Sequence, residues 1–320
     1  IGRIRVLVTT PVQYRRKVTK ILPRLPDLEL ILIIGVDEAS LPEHPDDGPT
    51  LMSFGRFVGE GHDVFESEPT RPDTPSLLHF TSGTTGAPKG AVHVHEAVIA
   101  HHATGAAVLD LHAGDTYWCT ADPGWVTGTS YGIIAPLLHG VTAIVDEAEF
   151  DAARWYRILS EHAVNVFYTA PTAIRMLQRA GDDAAPDEFP ALRLVASVGE
   201  PLDAESVLWA RRVFGVPVLD TWWQTETGAI MIANRLDGDV RPGSMGRPVP
   251  GVTATLLERD RDGELIVGPD GAVREVSDPD TNGEIALRIG WPSMFRGYLD
   301  RESKYRSCFV GVDNEWYRSG

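Results

Sequence analysis

The chain is poor in the features that mark secreted, membrane-spanning or nucleic-acid-binding proteins. It has 2 cysteines, Cys119 and Cys308, among 320 residues, which excludes a disulfide framework and makes a reducing interior the expected environment. No apolar run reaches the roughly 18 residues of a membrane-spanning helix, and no charged-then-apolar start indicates a signal peptide. Acidic residues outnumber basic ones, 45 against 29, for a formal net charge of −16. That excess disfavours a broad surface for nucleic acid or anionic membrane.

The rest of the composition is ordinary for a globular protein. Hydrophobic residues make up 43% and charged residues 23% of the chain, and its length suffices for a sizeable core with more than one subdomain. We therefore expect a cytoplasmic protein that binds neither nucleic acid nor membrane. The chain opens at Ile1 on a strand-like run and closes on "WYRSG". Neither end is typical of a natural terminus, so the sequence predicts an internal fragment of a longer protein.

Apolar strands that alternate with helices predict an α/β fold with parallel sheets. Short continuous apolar runs are typical of strands that are covered on both faces. One alternation covers the first 36 residues, and a second runs from Gly90 to Asp220. Strands are predicted over 4–10, 28–36, 90–95, 141–145, 164–170, 192–197 and 216–220, and helices over 11–22, 96–109, 151–162, 172–180 and 203–214. After about residue 237, the short strands "TATLLE", "GELIVG" and "GEIALRI", separated by Gly, Asp and Pro, predict a small β-rich subdomain.

The stretch "TSGTTGAPKG", Thr81–Gly90, has the composition of a loop that holds phosphate. Its glycines permit positive φ and close backbone approach to an anion, its hydroxyls and N–H groups can surround phosphate oxygens, and Lys89 adds a positive charge. The Walker pattern requires Gly-Lys-Ser/Thr, whereas Pro88 and Gly90 flank the lysine here. A different phosphate loop is therefore predicted, with an ordinary Gly/Thr hairpin turn as the alternative.

The motif "DTWWQTETG", 220–228, follows the apolar strand "VPVLD". Ligand sites of α/β proteins gather beyond the carboxyl ends of strands. In an extended segment Trp222 and Trp223 point to opposite sides, so that one indole can wall an adenine pocket and the other a second pocket. Thr225 offers a hydroxyl for a phosphate oxygen, and the carboxylate of Glu226 suits Mg²⁺. The alternative is a tryptophan pair in a core beside a turn.

Taken together, the motifs resemble the acyl-adenylate-forming (ANL) superfamily and, within it, the AMP-forming acetyl-CoA synthetase family. The resemblance covers nearly the whole chain, and several motifs in order are far more specific than one. The stretches that carry it are "FTSGTTGAPKG" (80–90), "DPGWVTG" (122–128), "SVGEPL" (197–202), "DTWWQTETG" (220–228), "PGSMGRPVPG" (242–251) and "WYRSG" (316–320). It implies the family's large N-terminal domain, with two parallel-sheet α/β subdomains and a small β-rich, barrel-like subdomain.

The domain boundaries expected on this basis divide the chain into three parts. Residues 1–110 would be a partial first α/β subdomain that carries the phosphate loop. Residues 111–236 would be the second α/β subdomain, with the adenine and acyl sites. Residues 237–320 would be the β-rich subdomain, truncated before a C-terminal domain. The family motif continues "Y-x-S-G-D", and its Asp and the later catalytic lysine are not in this sequence, so the fragment alone is expected to be nearly inactive.

The resemblance also implies a role for each matching residue. The β- and γ-phosphates of ATP would be held by Thr81, Ser82, Gly83, Thr84, Thr85, Gly86 and Lys89. Adenine would be bordered by Gly199, Glu200, Pro201, Asp220, Thr221, Trp222 and Gln224. Thr225 would contact the α-phosphate and Glu226 would bind Mg²⁺, which makes the expected catalytic residues Thr81, Lys89, Thr225 and Glu226. The acyl pocket would be lined by Val126, Thr127, Val198 and Trp223.

The implied reaction uses ATP, Mg²⁺, acetate and CoA. The carboxylate attacks the α-phosphorus, pyrophosphate leaves, and the acyl group of acyl-AMP passes to CoA as acetyl-CoA. Because the nucleophile is already an anion, catalysis reduces to aligning two anions and neutralising charge. The indole of Trp223 would leave room for about two carbons, and one methylene changes binding by only ~1–3 kcal/mol. A propionyl- or other short-chain acyl-CoA synthetase is therefore one alternative, and an inactive adenine-nucleotide-binding module is another.

Two other motifs point to different chemistry. "GTSYG", 128–132, matches the nucleophile elbow of α/β-hydrolases around Ser130, but that motif needs a preceding strand and "DPGWVT" is a poor one. The stretch "HVHEAVIAHH", 93–102, holds four histidines without the spacing of a zinc helix. We expect these histidines to be solvated or to cap a helix.

Overall fold

The computed structural model describes residues 2–81 and 88–320 of the chain. Residues 82–87, with the predicted phosphate ligands Ser82, Gly83, Thr84, Thr85 and Gly86, lie outside the described residues. The chain forms two compact units, Ile1–Pro69 and Thr70–Gly320. None of the helices in the described ranges is long and apolar enough to cross a membrane.

The first unit contains a parallel sheet of three strands in the order β1-β2-β3. Strand β1 is Val6–Thr9, β2 is Leu30–Ile33 and β3 is Thr50–Ser53. Ile31 and Ile33 are fully buried in the small core of this unit. The two strands predicted over 4–10 and 28–36 are thus confirmed as parallel neighbours.

The helix predicted over 11–22 is shorter and less regular than expected. Thr10 caps its start by accepting from the Gln13 N–H, and helix α1 then covers only Pro11–Gln13. A π-helical turn, Tyr14–Val18, follows and buries Tyr14 in the core of the unit. The helix prediction over its full length is wrong. A short helix α2, Phe54–Gly59, begins where the Ser53 side chain accepts from the Arg56 N–H.

The second unit is built on a sheet whose described strands follow the order β12-β11-β10-β9-β8-β6-β7. Strands β6 to β10 are mutually parallel, and β11 and β12 continue the sheet as antiparallel strands. Their bounds are Thr116–Cys119 (β6), Thr142–Ile144 (β7), Val166–Thr169 (β8), Leu194–Ser197 (β9), Val218–Trp222 (β10), Ile232–Ala233 (β11) and Arg247–Pro248 (β12). The parallel strands confirm the predicted α/β class.

Helices cover both faces of this sheet. Successive strand residues point to opposite faces, so each strand contributes side chains to two separate cores. Tyr117 and Tyr168 are buried on one face with Tyr131, and Trp118 and Phe167 are buried in a separate cluster on the other. The helices of the unit are Ala97–Ala107 (α3), Val126–Thr129 (α4), Ala135–His139 (α5), Ala152–Glu161 (α6), Pro171–Ala180 (α7), Ala204–Phe214 (α8) and Glu302–Arg306 (α9). The helices predicted near 96–109, 151–162, 172–180 and 203–214 are thereby confirmed.

The phosphate-loop sequence connects the two long strands of a separate antiparallel sheet. Strands β4, Pro75–Thr81, and β5, Lys89–Val94, form a hairpin, and β15, Gly297–Tyr298, pairs with β5 from far along the sequence. A Cβ atom on Gly90 would lie 2.8 Å from the Leu78 Cδ1 atom. A larger residue at position 90 would therefore force the Leu78 side chain to shift.

The C-terminal part of the unit contains a four-stranded antiparallel sheet in the order β13-β14-β17-β16. The bounds are Ala254–Leu257 (β13), Glu284–Arg288 (β14), Phe309–Val310 (β16) and Trp316–Arg318 (β17). These strands agree with the prediction that the chain is rich in β-structure after about residue 237. The predicted strand "GELIVG", 263–268, forms only isolated bridges, Arg259 with Leu265 and Val267 with Val273, so that prediction is wrong as a regular strand. Turn residues interrupt the pairing on both sides.

Candidate active site

A cleft of about 650 Å³ lies beyond the carboxyl ends of β9 and β10, the usual place for ligands in an open α/β sheet. The structure brings together there all the residues that were predicted to border adenine, with Trp223 beside them: Gly199, Glu200, Pro201, Asp220, Thr221, Trp222 and Gln224. Gly243, Ser244 and Met245 complete the lining. The sequence signal for these three was the motif "PGSMGRPVPG", to which no individual site role was given.

Asp220 is a buried carboxyl at the edge of this cleft, with 7% of its surface exposed. Its Oδ1 atom accepts from the Ser197 hydroxyl at 3.2 Å and from the Thr221 N–H at 3.0 Å. Burial nevertheless raises the pKa of Asp220 to about 6. The ionised carboxylate is therefore costly in the cleft, and a ligand that donates a hydrogen bond to it reduces this cost.

Glu200 is held at the rim of the cleft by residues of helix α7. The Thr172 hydroxyl donates to its Oε1 atom at 2.7 Å, and an Arg175 guanidinium nitrogen lies 2.5 Å from its Oε2 atom. Gly199, the preceding residue, has a φ of +95°, and a Cβ atom there would lie 2.6 Å from the Trp125 ring. Glycine is the residue that suits both that backbone conformation and so close a contact.

Gln224 connects the cleft to the closing segment of the chain. The Tyr317 hydroxyl donates to Gln224 Oε1 at 2.8 Å, and Gln224 Nε2 donates to the Ser319 carbonyl at 3.0 Å. Strand β17 is thereby joined to the loop that follows β10. The sequence indicated the region through the motif "WYRSG" without indicating these contacts.

Trp223 is both a core residue and a wall of the cleft. Its indole is 8% exposed, lies edge-to-face against Tyr131 with ring centroids 5.1 Å apart, and donates to the Tyr168 hydroxyl at 3.4 Å. Val126 and Val198, two other predicted acyl-pocket residues, belong to the same buried cluster. Thr127, the fourth, is 1% exposed in helix α4. The core alternative thus describes the indole, which also lines the cleft, whereas Val126, Thr127 and Val198 are not among the residues that line this cleft.

Thr81 and Lys89 are paired directly in the β4–β5 hairpin, where Thr81 is the last residue of β4 and Lys89 the first residue of β5. The Thr81 hydroxyl is buried and has no hydrogen-bond partner among the described residues. The Lys89 ammonium nitrogen lies 5.0 Å from the centroid of the Tyr298 ring. Both predicted phosphate ligands on the strands thus lie at the same end of the hairpin.

The Glu226 carboxylate is the group that was predicted to bind Mg²⁺. Glu226 lies half-buried in a turn after β10, next to Thr225. Within the described residues, Tyr298 donates to its Oε1 atom at 2.5 Å and no donor contacts Oε2. Mg²⁺ favours one or two carboxylates together with phosphate and water oxygens over a cage of protein ligands. The described residues contain no cluster of three or more His, Cys, Asp or Glu side chains suited to a metal.

A segment that the sequence did not single out joins the hairpin to the Glu226 turn. We call residues 291–299, "WPSMFRGYL", the bridging segment. Its Trp291 indole and Ser293 hydroxyl both donate to the Thr227 carbonyl, at 2.9 Å and 2.8 Å. The Phe295 N–H donates to the Glu226 carbonyl at 3.0 Å.

The other end of the bridging segment bonds to β5. The Arg296 N–H donates to the Val92 carbonyl and the Leu299 N–H to the Gly90 carbonyl, both at 2.8 Å. The signal that was missed is a run of three aromatic residues within nine positions. Short strands of two residues are hard to detect by periodicity.

Ser130 is not placed as a hydrolase nucleophile. It lies in a π-helical turn, Ser130–Ile134, that continues helix α4, and its side chain is 1% exposed. A nucleophile elbow requires a sharp turn between a strand and a helix, with the serine exposed. The structure therefore does not give "GTSYG" the geometry of a nucleophile elbow.

The prediction for the four clustered histidines is half right. His95 and His102 are exposed, as expected, whereas His93 and His101 are 2% and 1% exposed. The solvated interpretation is wrong for the buried pair, because strand β5 and helix α3 turn those two residues toward the core.

The buried histidines hold the site through backbone carbonyls. His93 Nδ1 bonds to the Ser293 carbonyl at 3.2 Å, and His101 Nε2 bonds to the Gly228 carbonyl at 2.8 Å. Since a carbonyl only accepts, those ring nitrogens carry the proton. Burial lowers the pKa of both imidazoles to about 4. Each is thus a neutral hydrogen-bond donor that joins its own element, β5 or α3, to a carbonyl of a distant segment.

Neutral burial of His93 and His101 predicts acid sensitivity. Their pKa is about 4 in the folded protein and roughly 6.5 when unfolded, so the unfolded chain binds more protons between these values. The stabilisation is complete above about pH 6.5 and is lost as the pH falls toward about 4, at ~3 kcal/mol for each histidine. We expect His101→Gln to reduce the slope of unfolding free energy against pH in this window by ~1.4 kcal/mol per pH unit.

Urea unfolding followed by tryptophan fluorescence at several pH values measures this slope. The exposed His102 supplies the matched control, since His102→Gln should leave the slope as it is. Equal slopes for the parent chain and His101→Gln would contradict the neutral, buried state of His101.

Comparison with protein families gives a match over most of the chain. The family described as "AMP-binding enzyme" matches residues 2–299. The acetyl-coenzyme A synthetase of Bacillus subtilis (strain 168) is 41% identical over 317 residues, which are 99% of this chain and 51% of that protein. The acetyl-coenzyme A synthetase of Deinococcus radiodurans is 38% identical over 306 residues, 92% of this chain and 44% of that protein. The chain spans about half the length of the curated relatives it matches.

Solved structures give the same result for the fold. A Brucella canis acyl-CoA synthetase superposes with a TM-score of 0.81 at 29% identity, and the match covers 99% of this chain and 53% of that one. The anthranilate CoA ligase AuaEII, in complex with anthranoyl-AMP, gives a TM-score of 0.80 at 29% identity, over 99% of this chain and 56% of that one.

Proposed function

Because the chain belongs to the AMP-binding enzyme family, we propose that the protein containing it is an AMP-forming acetate–CoA ligase. The observation that carries the proposal is the cleft of about 650 Å³ beyond β9 and β10, whose lining includes the buried Trp223 indole. Val126 and Val198 share the apolar cluster of Trp223. A bulky wall at this place favours a short acid, and acetate is the acid named by the similar synthetases.

In the proposed reaction, a carboxylate oxygen of acetate forms a bond to the α-phosphorus of ATP. The bond from that phosphorus to the bridging oxygen breaks, and pyrophosphate leaves with the electron pair. The CoA thiol then attacks the acyl carbon of acetyl-AMP, loses its proton, and displaces AMP. Since the first nucleophile is an anion, the site supplies alignment and positive charge and needs no general base.

We assign the contacts with ATP to the predicted site residues as follows. The Gly199–Pro201 loop, fixed by Arg175, and the residues from Asp220 to Gln224 hold adenine. Thr81 and Lys89, together with the loop sequence between them, hold the β- and γ-phosphates, and Thr225 contacts the α-phosphate. Lys89 supplies a positive charge against the leaving pyrophosphate.

Glu226 is the proposed Mg²⁺ ligand, in keeping with its free Oε2 atom within the described residues. Bound Mg²⁺ neutralises phosphate charge and fixes the triphosphate for displacement. Val126, Thr127, Val198 and Trp223 hold the methyl end of acetate. We further propose the boundaries 1–110, 111–236 and 237–320 for the three subdomains, and the cytoplasm, which supplies ATP and CoA, as the compartment.

Acetate-dependent exchange of labelled pyrophosphate into ATP tests the proposal on the protein that contains this chain. We expect exchange that requires both acetate and Mg²⁺, with propionate as a poorer substrate. Tight AMP binding without exchange would instead identify an adenine-nucleotide-binding module. Faster exchange with propionate than with acetate would assign a different acyl-CoA synthetase.

A further inference from the structure

Strand register brings Tyr298 next to the phosphate-loop lysine. Strand β15 pairs antiparallel with β5, and Tyr298 lies opposite Ala91. Residues two positions apart share a face of a strand, so Lys89 is the diagonal neighbour of Tyr298. The ammonium nitrogen lies 5.0 Å from the ring centroid, within the range of a cation–π contact.

The other end of the same side chain reaches the Glu226 carboxylate. The Tyr298 hydroxyl donates to Glu226 Oε1 at 2.5 Å. A phenol carries its proton at neutral pH and a carboxylate oxygen accepts, so the Tyr298 hydroxyl is the donor of this bond. A hydrogen bond from a hydroxyl to an ionised carboxylate is short and strong, and it fixes the orientation of the carboxylate.

We propose that Tyr298 is a positioning residue of the nucleotide site, whose ring holds Lys89 and whose hydroxyl orients the Glu226 carboxylate. The hydrogen bond occupies Oε1 and leaves Oε2 to face Mg²⁺. One side chain thereby sets the distance between the two charged groups that receive the triphosphate. The three residues come from β5, the turn after β10, and β15, so their relation depends on tertiary structure alone.

The bridging segment makes this arrangement rigid. Phe295 is fully buried, its ring lies 5.0 Å from the Tyr298 ring, and its N–H holds the Glu226 carbonyl at 3.0 Å. Tyr298 therefore cannot move away from Glu226 without disturbing the backbone of the same turn. The Lys89 ammonium has three N–H donors, so it can contact the Tyr298 ring and a phosphate oxygen at the same time.

The inference rests on the proposed function, because it takes Glu226 as a Mg²⁺ ligand and Lys89 as a phosphate ligand. ATP binding to the protein that contains this chain, measured by calorimetry while Mg²⁺ is varied, tests both. We expect Tyr298→Phe to raise the half-saturating Mg²⁺ concentration about fivefold, the effect of losing one charge-assisted hydrogen bond. Because the ring stays, affinity for ATP without Mg²⁺ should change less than about twofold.

Two further variants separate the hydroxyl from the ring. Tyr298→Leu removes both, so it should also weaken ATP binding without Mg²⁺ by about threefold. Equal Mg²⁺-free affinities for the Phe and Leu variants would overturn the role of the ring. Tyr305→Phe makes the same chemical change in the same aromatic cluster, away from Glu226, and should leave the Mg²⁺ requirement unaltered.

A double-mutant cycle with Glu226→Gln gives the decisive readout. If the hydroxyl acts through the carboxylate, Tyr298→Phe should have no further effect on Mg²⁺ dependence in the Glu226→Gln background. Parent-like Mg²⁺ dependence in Tyr298→Phe, or an unchanged effect in both backgrounds, would overturn the inference alone. Mg²⁺-independent ATP binding by the parent chain would instead overturn the proposed function, and the inference with it.

Discussion

Replacing Glu226 by alanine is expected to lower acetate-dependent pyrophosphate exchange by about 100-fold, or ~2.7 kcal/mol of transition-state stabilisation. The carboxylate is half-buried, and Tyr298 holds its Oε1 atom at 2.5 Å. Alanine removes the proposed Mg²⁺ ligand and leaves the Tyr298 hydroxyl without its acceptor. The measurement is the exchange rate as a function of Mg²⁺ concentration, on the protein that contains this chain.

Two further variants test whether the loss of exchange is specific to the carboxylate of Glu226. Glu226→Gln keeps an oxygen acceptor for Tyr298 and loses the charge, so its rate should fall between those of the parent and Glu226→Ala. Glu161→Ala removes an exposed carboxylate at the end of α6 and should match the parent. An undiminished exchange rate in Glu226→Ala would reject Glu226 as the metal ligand.

The second large effect is expected at Trp223, where glycine should shift preference from acetate toward longer acids. The indole is 8% exposed and packs edge-to-face on Tyr131, so its removal opens space beside the proposed methyl site. Each methylene that enters such a pocket contributes ~1–3 kcal/mol. For an acid longer by two methylenes, kcat/KM relative to acetate should rise by about 100-fold or more.

Loss of the same indole should also cost stability, because the core collapses only partly around the cavity. Substitutions of this kind in cores cost ~3–5 kcal/mol. Trp155→Gly is the matched control, since Trp155 is equally buried, at 8% exposed, in the separate cluster under α6. It should lose stability and keep its preference for acetate. Steady-state kinetics with a series of straight-chain acids measures the effect, and an unchanged series for Trp223→Gly would refute its role.

How much of this was predictable from the sequence depends on how local the signal is. The strands and helices that were predicted between Gly90 and Asp220 follow from apolar periodicity within each element, and the structure confirms them. Strand β6 and the short helices α4 and α5 in the same range were not predicted. The residues of the cleft carry their own motifs, so they were predicted to gather, and they do. Their individual roles stay predictions, because position in a cleft does not establish contact with a ligand.

What could not be predicted depends on partners that are distant in the sequence. The polarity of His93 and His101 suggested solvent, yet each is buried with a hydrogen bond to a carbonyl on a remote loop. Tyr298 lies in a strand of two residues, too short for a period of two to be visible. The segment "GELIVG" shows the opposite kind of error, a strand that was predicted and is not formed. Its local pattern is that of a strand, but in the structure it makes only isolated bridges.

The pairing of β15 with β5 also sets an order of events during synthesis. The hairpin that presents the phosphate loop leaves the ribosome long before the bridging segment, since contacts such as His93–Ser293 span 200 residues. Until then β5 is an open edge, able to pair with other chains. Closing contacts over such separations is slow. We therefore expect the chain to become able to bind a nucleotide late in synthesis and abruptly. This happens when residues 291–299 add the third strand and bring Tyr298 to Lys89 and Glu226.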